Sequence, residues 1–187
     1  MNDLKLVQKE YARWLSEYEW QWFCTLTFRE PDKRYGASSA KLAGRVHPEI
    51  AYKKFRAWIN GIDGDIFGKW YTKKGMNLGI RWVLAEEYTK RGQIHFHALL
   101  GDNKNFVRRN REQSSFDETF ELECFRASAK DAWFRLAGFA DIKRINRDIE
   151  AVMNYVSKYV TKGGDILVSK TLSASQDPLT HSGDDEG

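Results

Sequence analysis

The sequence predicts an α+β fold in which a central antiparallel sheet carries helices on one face. Three observations predict it. Segments with apolar residues at helical spacing alternate with short runs rich in aromatic and β-branched residues. One pair of those runs is separated only by a turn, which makes the two neighbours antiparallel. The 187 residues contain no internal repeat and suit one domain able to bury a core.

Leu4, Val7, Tyr11, Leu15 and Tyr18 recur at helical spacing, so residues 3–18 read as an amphipathic helix. "WQWFCTLTF" (20–28) reads as a buried strand. Pro31, Gly36, Ser38, Ser39 and Gly44 mark residues 29–47 as a long loop. Pro48 suits the first turn of a helix whose apolar face is Ala51, Phe55, Trp58, Ile59 and Ile62. "IRWVLAEEYTKRGQIHFHALL" then gives two strands about a turn at Lys90–Gly92. Residues 102–116 are polar and basic and read as a flexible loop. Leu122, Phe125, Ala129, Ala132 and Leu136 return to helical spacing, and Gly138 sits where that helix would end. "FADIKRI" (139–145) is a short strand, and "RDIEAVMNYVSKYVTKGG" has acidic residues early and lysines late, as a capped helix does. The β-α-β-β-α-β order inside this series is ferredoxin-like (RRM-like), with helix 3–18 as an N-terminal addition. The expected domain is 1–167, and residues 168–187 read as a polar, disordered tail.

Composition narrows the function classes. No run of 18 or more apolar residues is present and "MNDLKLVQKEYARW" lacks a secretory apolar segment, so a cytoplasmic protein without a membrane partner is expected. Cys24 and Cys124 stand a hundred positions apart without a CxxC partner, which predicts two small buried residues rather than a disulfide or a cysteine zinc site. Net charge is +4, and the basic residues gather in "KR" (90–91), "RRNR" (108–111) and "KRINR" (143–147), so an anionic partner fits. No G-x-x-x-x-G-K-[ST] stretch is present to make this chain a helicase.

Two motifs carry chemistry. Alternation along a strand puts His95 and His97 on one face and Phe96 and Ala98 on the other. If the apolar pair packs on the helices, the histidines face the open side, where two neutral imidazoles and a carboxylate suit a divalent ion. Glu86 and Glu87 lie on the partner strand. A two-residue turn aligns Glu86 with His97, and a three-residue turn through Lys90, Arg91 and Gly92 aligns Glu87 with His95, so periodicity leaves the carboxylate open. In "YVSKYVTK" (155–162), Tyr155 and Tyr159 form one neighbouring helical pair and Lys158 and Lys162 another. A phenol with a pKa of about 10 is a poor nucleophile until nearby cations favour its phenolate.

"FCTLTF", "EYTKRGQIHFHALL" and "YVSKYVTK" follow one another in the order and approximate spacing of the three motifs of HUH endonucleases, the rolling-circle replication initiators. The chain resembles the two-tyrosine Rep proteins of microviruses and related phage and plasmid initiators over roughly residues 20–163. The specific forms are E-x-x-x-R-G-x-x-H-x-H and Y-x-x-K-Y-x-x-K. The resemblance implies that Glu87, His95 and His97 hold Mn²⁺ or Mg²⁺, and that the tyrosine-bearing helix lies beside that site. It implies further that Tyr155 and Tyr159 nick and join single-stranded DNA through a 5′-phosphotyrosine, with Lys158 and Lys162 against phosphate or phenolate. Relatives in which a carboxylate replaces the first tyrosine favour Tyr159 as first nucleophile. The implied partners are single-stranded DNA at a replication origin or hairpin and a separate host helicase, in a bacterial cytoplasm. Arg91, Arg108, Arg109, Arg111, Lys143 and Arg144 are candidate DNA contacts, while Trp20, Trp22, Trp70 and Trp82 read mainly as core or rim aromatics. A relaxase or transposase of the same chemistry and a non-cleaving origin-binding or regulatory module are the alternatives.

Overall fold

The computed structural model describes residues 2–29, 45–68, 79–101, 118–145, 149–158 and 166–173. Among them the order is α1 (Asn2–Ser16), β1 (Trp20–Thr27), α2 (Pro48–Phe67), β2 (Arg81–Tyr88), β3 (Ile94–Gly101), α3 (Glu118–Leu136), β4 (Ala140–Arg144), α4 (Ile149–Ser157), β5 (Ile166–Val168) and α5 (Lys170–Ser173). The strands form one sheet in the order β4-β1-β3-β2-β5, with every pairing antiparallel. The first four positions are the ferredoxin-like arrangement expected from the β-α-β-β-α-β series, and β5 extends it along the edge of β2.

Alternation divides the sheet into two unlike faces. Trp22, Cys24 and Leu26 of β1 and Phe96, Ala98 and Leu100 of β3 point to the side of α2 and α3 and are buried there. The α2 residues Ala51, Phe55, Trp58, Ile59 and Ile62 meet them, as the helical spacing predicts. Helix α2 begins where His47 caps it, its Nδ1 accepting from the Glu49 N–H at 3.3 Å, with Pro48 in the first turn. Trp58 Nε1 donates to the Ala129 carbonyl at 2.9 Å, so α2 and α3 are tied by a buried bond as well as by packing.

The opposite face is not left open along its whole length, as the sequence had suggested. Val83, Ala85 and Leu99 lie on it together with the histidines, and α1, α4 and α5 cover them through Leu15, Val156 and Leu172. The cause is composition: beyond His97 this face of the sheet turns apolar, and the amphipathic α1 supplies a complementary stripe. Gln8 Nε2 on α1 also donates to the Asn154 carbonyl on α4 at 3.3 Å. Helix α1 is therefore part of this packing rather than an appendage.

Two further expectations change. The first residues of the expected tail belong to the fold: Ser169 N donates to the Trp82 carbonyl at 2.9 Å, Trp82 N donates to Ser169 Oγ at 3.1 Å, and Leu172 is fully buried. Three β-prone residues pairing with β2 and one apolar anchor after them are enough to fold that stretch. Residues 174–187, most of the loops expected at 29–47 and 102–116, and the end of the expected tyrosine helix lie outside the described residues. Cys24 is buried, and burial pushes its thiol well above the usual range, with Asp141 adding to the effect. Cys124 is exposed instead, because it occupies the outer side of α3.

Candidate metal site and the tyrosine beside it

The β2–β3 turn decides which glutamate meets the histidines. Tyr88 pairs with Ile94, the Thr89 N–H donates to the Gln93 carbonyl at 2.9 Å, and the Gly92 N–H donates to the Thr89 carbonyl at 2.7 Å. Gly92 has φ 73°, the left-handed conformation that suits glycine. The turn thus runs through Lys90, Arg91 and Gly92, and the resulting register pairs Glu87 with His95. Glu86 points to the other face, where it is buried and accepts a 2.6 Å hydrogen bond from the Tyr52 hydroxyl.

Glu87, His95 and His97 converge. Glu87 Oε2 lies 2.9 Å from His95 Nε2 and 3.2 Å from His97 Nε2, and one ligand atom from each residue falls within 4.8 Å of the others. All three side chains are largely shielded, with Glu87 the most accessible. His97 is oriented twice over: its Nδ1 is 3.3 Å from Thr25 Oγ1, and its ring stacks on Phe23 at 5.7 Å and 4°. Either tautomer suits that contact, since the Thr25 hydroxyl donates to a bare Nδ1 and accepts from a protonated one. His95 Nδ1 is buried and has no hydrogen-bond partner among the described residues.

The donor set fits a divalent cation. Two imidazole nitrogens and one carboxylate oxygen on a single side leave further coordination positions for water or substrate oxygens. Thr25 is the outer partner that an imidazole ligand ordinarily has, fixing its ring orientation through the nitrogen that does not face the ion.

Tyr155 adjoins this cluster. Its ring is edge-on to His97 at 5.4 Å and to Phe23 at 5.6 Å, and the residue is 41% exposed. Helix α4 is held there by Val156, which is fully buried against the apolar half of the same face. Lys158 is exposed one residue after the helix, and Tyr159 and Lys162 lie outside the described residues.

The basic candidates scatter. Arg91 is exposed in the turn beside the cluster. Lys143 is opposite Phe23, on the histidine face, and pairs with Asp141 at 3.0 Å. Arg144 is opposite Trp22 and so belongs to the face of α2 and α3. Arg108, Arg109 and Arg111 are outside the described residues, as is Trp70. Trp20 and Trp22 are buried and Trp82 is half-buried, as core and rim aromatics should be. Sequence reasoning missed Thr25 and Phe23, although the alternation in "FCTLTF" places both on the side opposite Cys24. It also missed Arg45, whose guanidinium carbon would lie 2.8 Å from a β-carbon added to Gly92 and which therefore packs on the turn.

Fold and site together define a ferredoxin-like protein that carries a glutamate–histidine cluster on its sheet, flanked by a tyrosine. Residues 21–164, from the start of β1 to beyond α4, match the family model of the replication-associated protein ORF2. The chain belongs to that family, which supports a role in replication initiation. No curated protein and no solved structure matches it. Among the described residues no helix is long and apolar enough to cross a membrane.

Proposed function

We propose that this chain initiates rolling-circle replication as an HUH-type endonuclease, nicking and rejoining single-stranded DNA through a tyrosine. The observation that carries the reading is the convergence of His95 Nε2, His97 Nε2 and Glu87 Oε2 beside the Tyr155 ring, in a chain of a replication-associated family. Mg²⁺ or Mn²⁺ bound by these three residues supplies Lewis-acid polarisation of the scissile phosphodiester. The chain itself supplies the nucleophile and its alignment. The phenol oxygen of Tyr155 or Tyr159 attacks phosphorus and loses its proton; the bond from phosphorus to the 3′-oxygen breaks, and that oxygen leaves as a hydroxyl. The protein remains joined to the 5′-phosphate by an ester, which the 3′-hydroxyl reverses without an energy source.

Phe23 and His97 hold the Tyr155 ring on two sides, so the phenol is presented by packing rather than by a mobile arm. Lys158 and Lys162 are assigned to phosphate or phenolate contact. With single-stranded origin oligonucleotides and Mn²⁺, a protein-linked DNA band is expected on a denaturing gel and is lost in EDTA. Residual adduct in Tyr155→Phe/Tyr159→Phe would sink the nucleophile assignment. Binding without cleavage by the wild-type chain would favour a recognition module instead.

A further inference from the structure

At the far end of the row that holds the cluster, two large aromatic side chains face solvent. Phe139 is 61% exposed and Phe134 is 57% exposed, whereas Trp133, next to Phe134 in sequence, is fully buried. Each ring carries a cation: Arg29 Cζ lies 4.9 Å from the Phe134 centroid, and Lys130 Nζ lies 6.0 Å from that of Phe139. Arg29 Nη2 also donates to the Phe134 carbonyl at 2.5 Å, which holds the guanidinium at the ring. Neither cation is in an ion pair among the described residues, so the charge of each remains available to an anion.

The patch is fixed to the sheet. The Thr27 N–H and hydroxyl both donate to the Phe139 carbonyl, at 2.8 and 3.1 Å, and the Arg29 N–H donates to the Ala137 carbonyl at 2.9 Å. Gly138 lets the backbones approach this closely, since a β-carbon there would lie 2.4 Å from the Thr27 carbonyl oxygen. Leu26 pairs with Ala140 and Thr27 with His95. Continuing the first register by one pair gives a single row across the sheet, Phe139–Thr27–His95–Glu87. Phe139 is therefore two strands, roughly 10 Å, from His95.

We propose that Phe134 and Phe139, with Arg29 and Lys130 against their rings, form a stacking subsite for bases of single-stranded DNA flanking the cluster. The inference rests on the DNA-processing reading above and names surface which that reading does not use. Exposed aromatic faces interleaved with cations are what an unpaired strand requires: rings take the base faces, and Arg and Lys take the adjoining phosphates. Stacking of this kind is tolerant of sequence, so the subsite holds the strand in place and leaves recognition of the origin to other contacts.

The test is fluorescence anisotropy of a labelled oligo(dT) of about 20 nucleotides on the full chain in EDTA, where binding is read without cleavage. Phe134→Leu/Phe139→Leu should weaken binding about tenfold or more, while Phe139→Trp stays within about twofold of wild type. Both variants should keep the wild-type melting temperature and Mn²⁺ affinity. Wild-type binding by the double leucine variant overturns the subsite, as does a tryptophan variant no better than Phe139→Leu, or a wild-type chain that does not bind the strand. Aromatic-dependent binding without any Mn²⁺-dependent adduct would defeat the nicking reading and leave the subsite standing. Normal adduct formation with binding indifferent to both rings would defeat the subsite alone.

Discussion

Phe96 and His95 are neighbours on β3, yet Phe96 sits among Phe28, Tyr52 and Phe55 while His95 keeps a buried ring nitrogen without a partner among the described residues. The same contrast separates Glu86 from Glu87. Glu86 ends in a short hydrogen bond from Tyr52 on the face closed by α2 and α3, and Glu87 faces two imidazoles where the cover from α1 and α4 gives out. One strand alternation thus serves packing with its even positions and chemistry with its odd ones. Core density on one side fixes the backbone from which the other side presents its polar groups.

If the faces are independent in this way, substitutions should separate stability from activity. Phe96→Ala should cost about 3–5 kcal/mol and lower the melting temperature by roughly 10 °C, because its ring is enclosed by three others. Glu87→Gln should lower covalent adduct formation by about a hundredfold or more, with melting within a few degrees of wild type, since it removes a charge and little volume. An unfolded Glu87→Gln protein, or a Phe96→Ala protein as stable as wild type, would break the comparison.

Thr25→Val sharpens it further. The hydroxyl contacts His97 Nδ1 at the back of the cluster, and its loss should weaken Mn²⁺ binding about tenfold, read by titration calorimetry. Equal affinity in wild type and variant would reduce Thr25 to a strand residue.

The smallest expected effect lies on the packed face. Burial raises the Asp63 carboxyl from 3.8 to about 6, partly opposed by the hydrogen bond from Ile80 N at 2.8 Å. A raised folded-state value means that the proton is bound more tightly in the folded protein. The stability from this group is full below about pH 3.8 and is lost as pH rises through about 6. Asp63→Asn keeps an oxygen acceptor for Ile80 and should be more stable than wild type at pH 7, by on the order of 1 kcal/mol. Its melting temperature should change less between about pH 5 and 7, and an unchanged profile would contradict the assignment.

Much of this was legible in the sequence, for physical reasons that differ between elements. The strand order follows from β-α-β-β-α-β, and the apolar stripe from Ala51 to Ile62 announces its buried face. The choice between Glu86 and Glu87 was not legible from periodicity, because one residue of turn length flips every side chain; the family resemblance selected Glu87, and the turn through Gly92 gives the same register. The cover over Leu99 and Val83 was hidden because an amphipathic helix does not name its docking surface. Strand β5 was hidden by brevity: three residues after two glycines carry no period of their own. Thr25 was concealed differently, since its role depends on which strand pairs with β1, a long-range fact.

The most direct test is to react the chain with single-stranded origin DNA and Mn²⁺, digest it with trypsin and nuclease, and locate the nucleotide-bearing peptide by mass spectrometry. Cleavage after Arg147, Lys158 and Lys162 separates the two tyrosines, with Tyr155 in peptide 148–158 and Tyr159 in peptide 159–162. A phosphotyrosyl nucleotide on one of these peptides, absent when EDTA replaces Mn²⁺, is the predicted result. A nucleotide on any other peptide, or no adduct from DNA that the chain binds, would contradict the account.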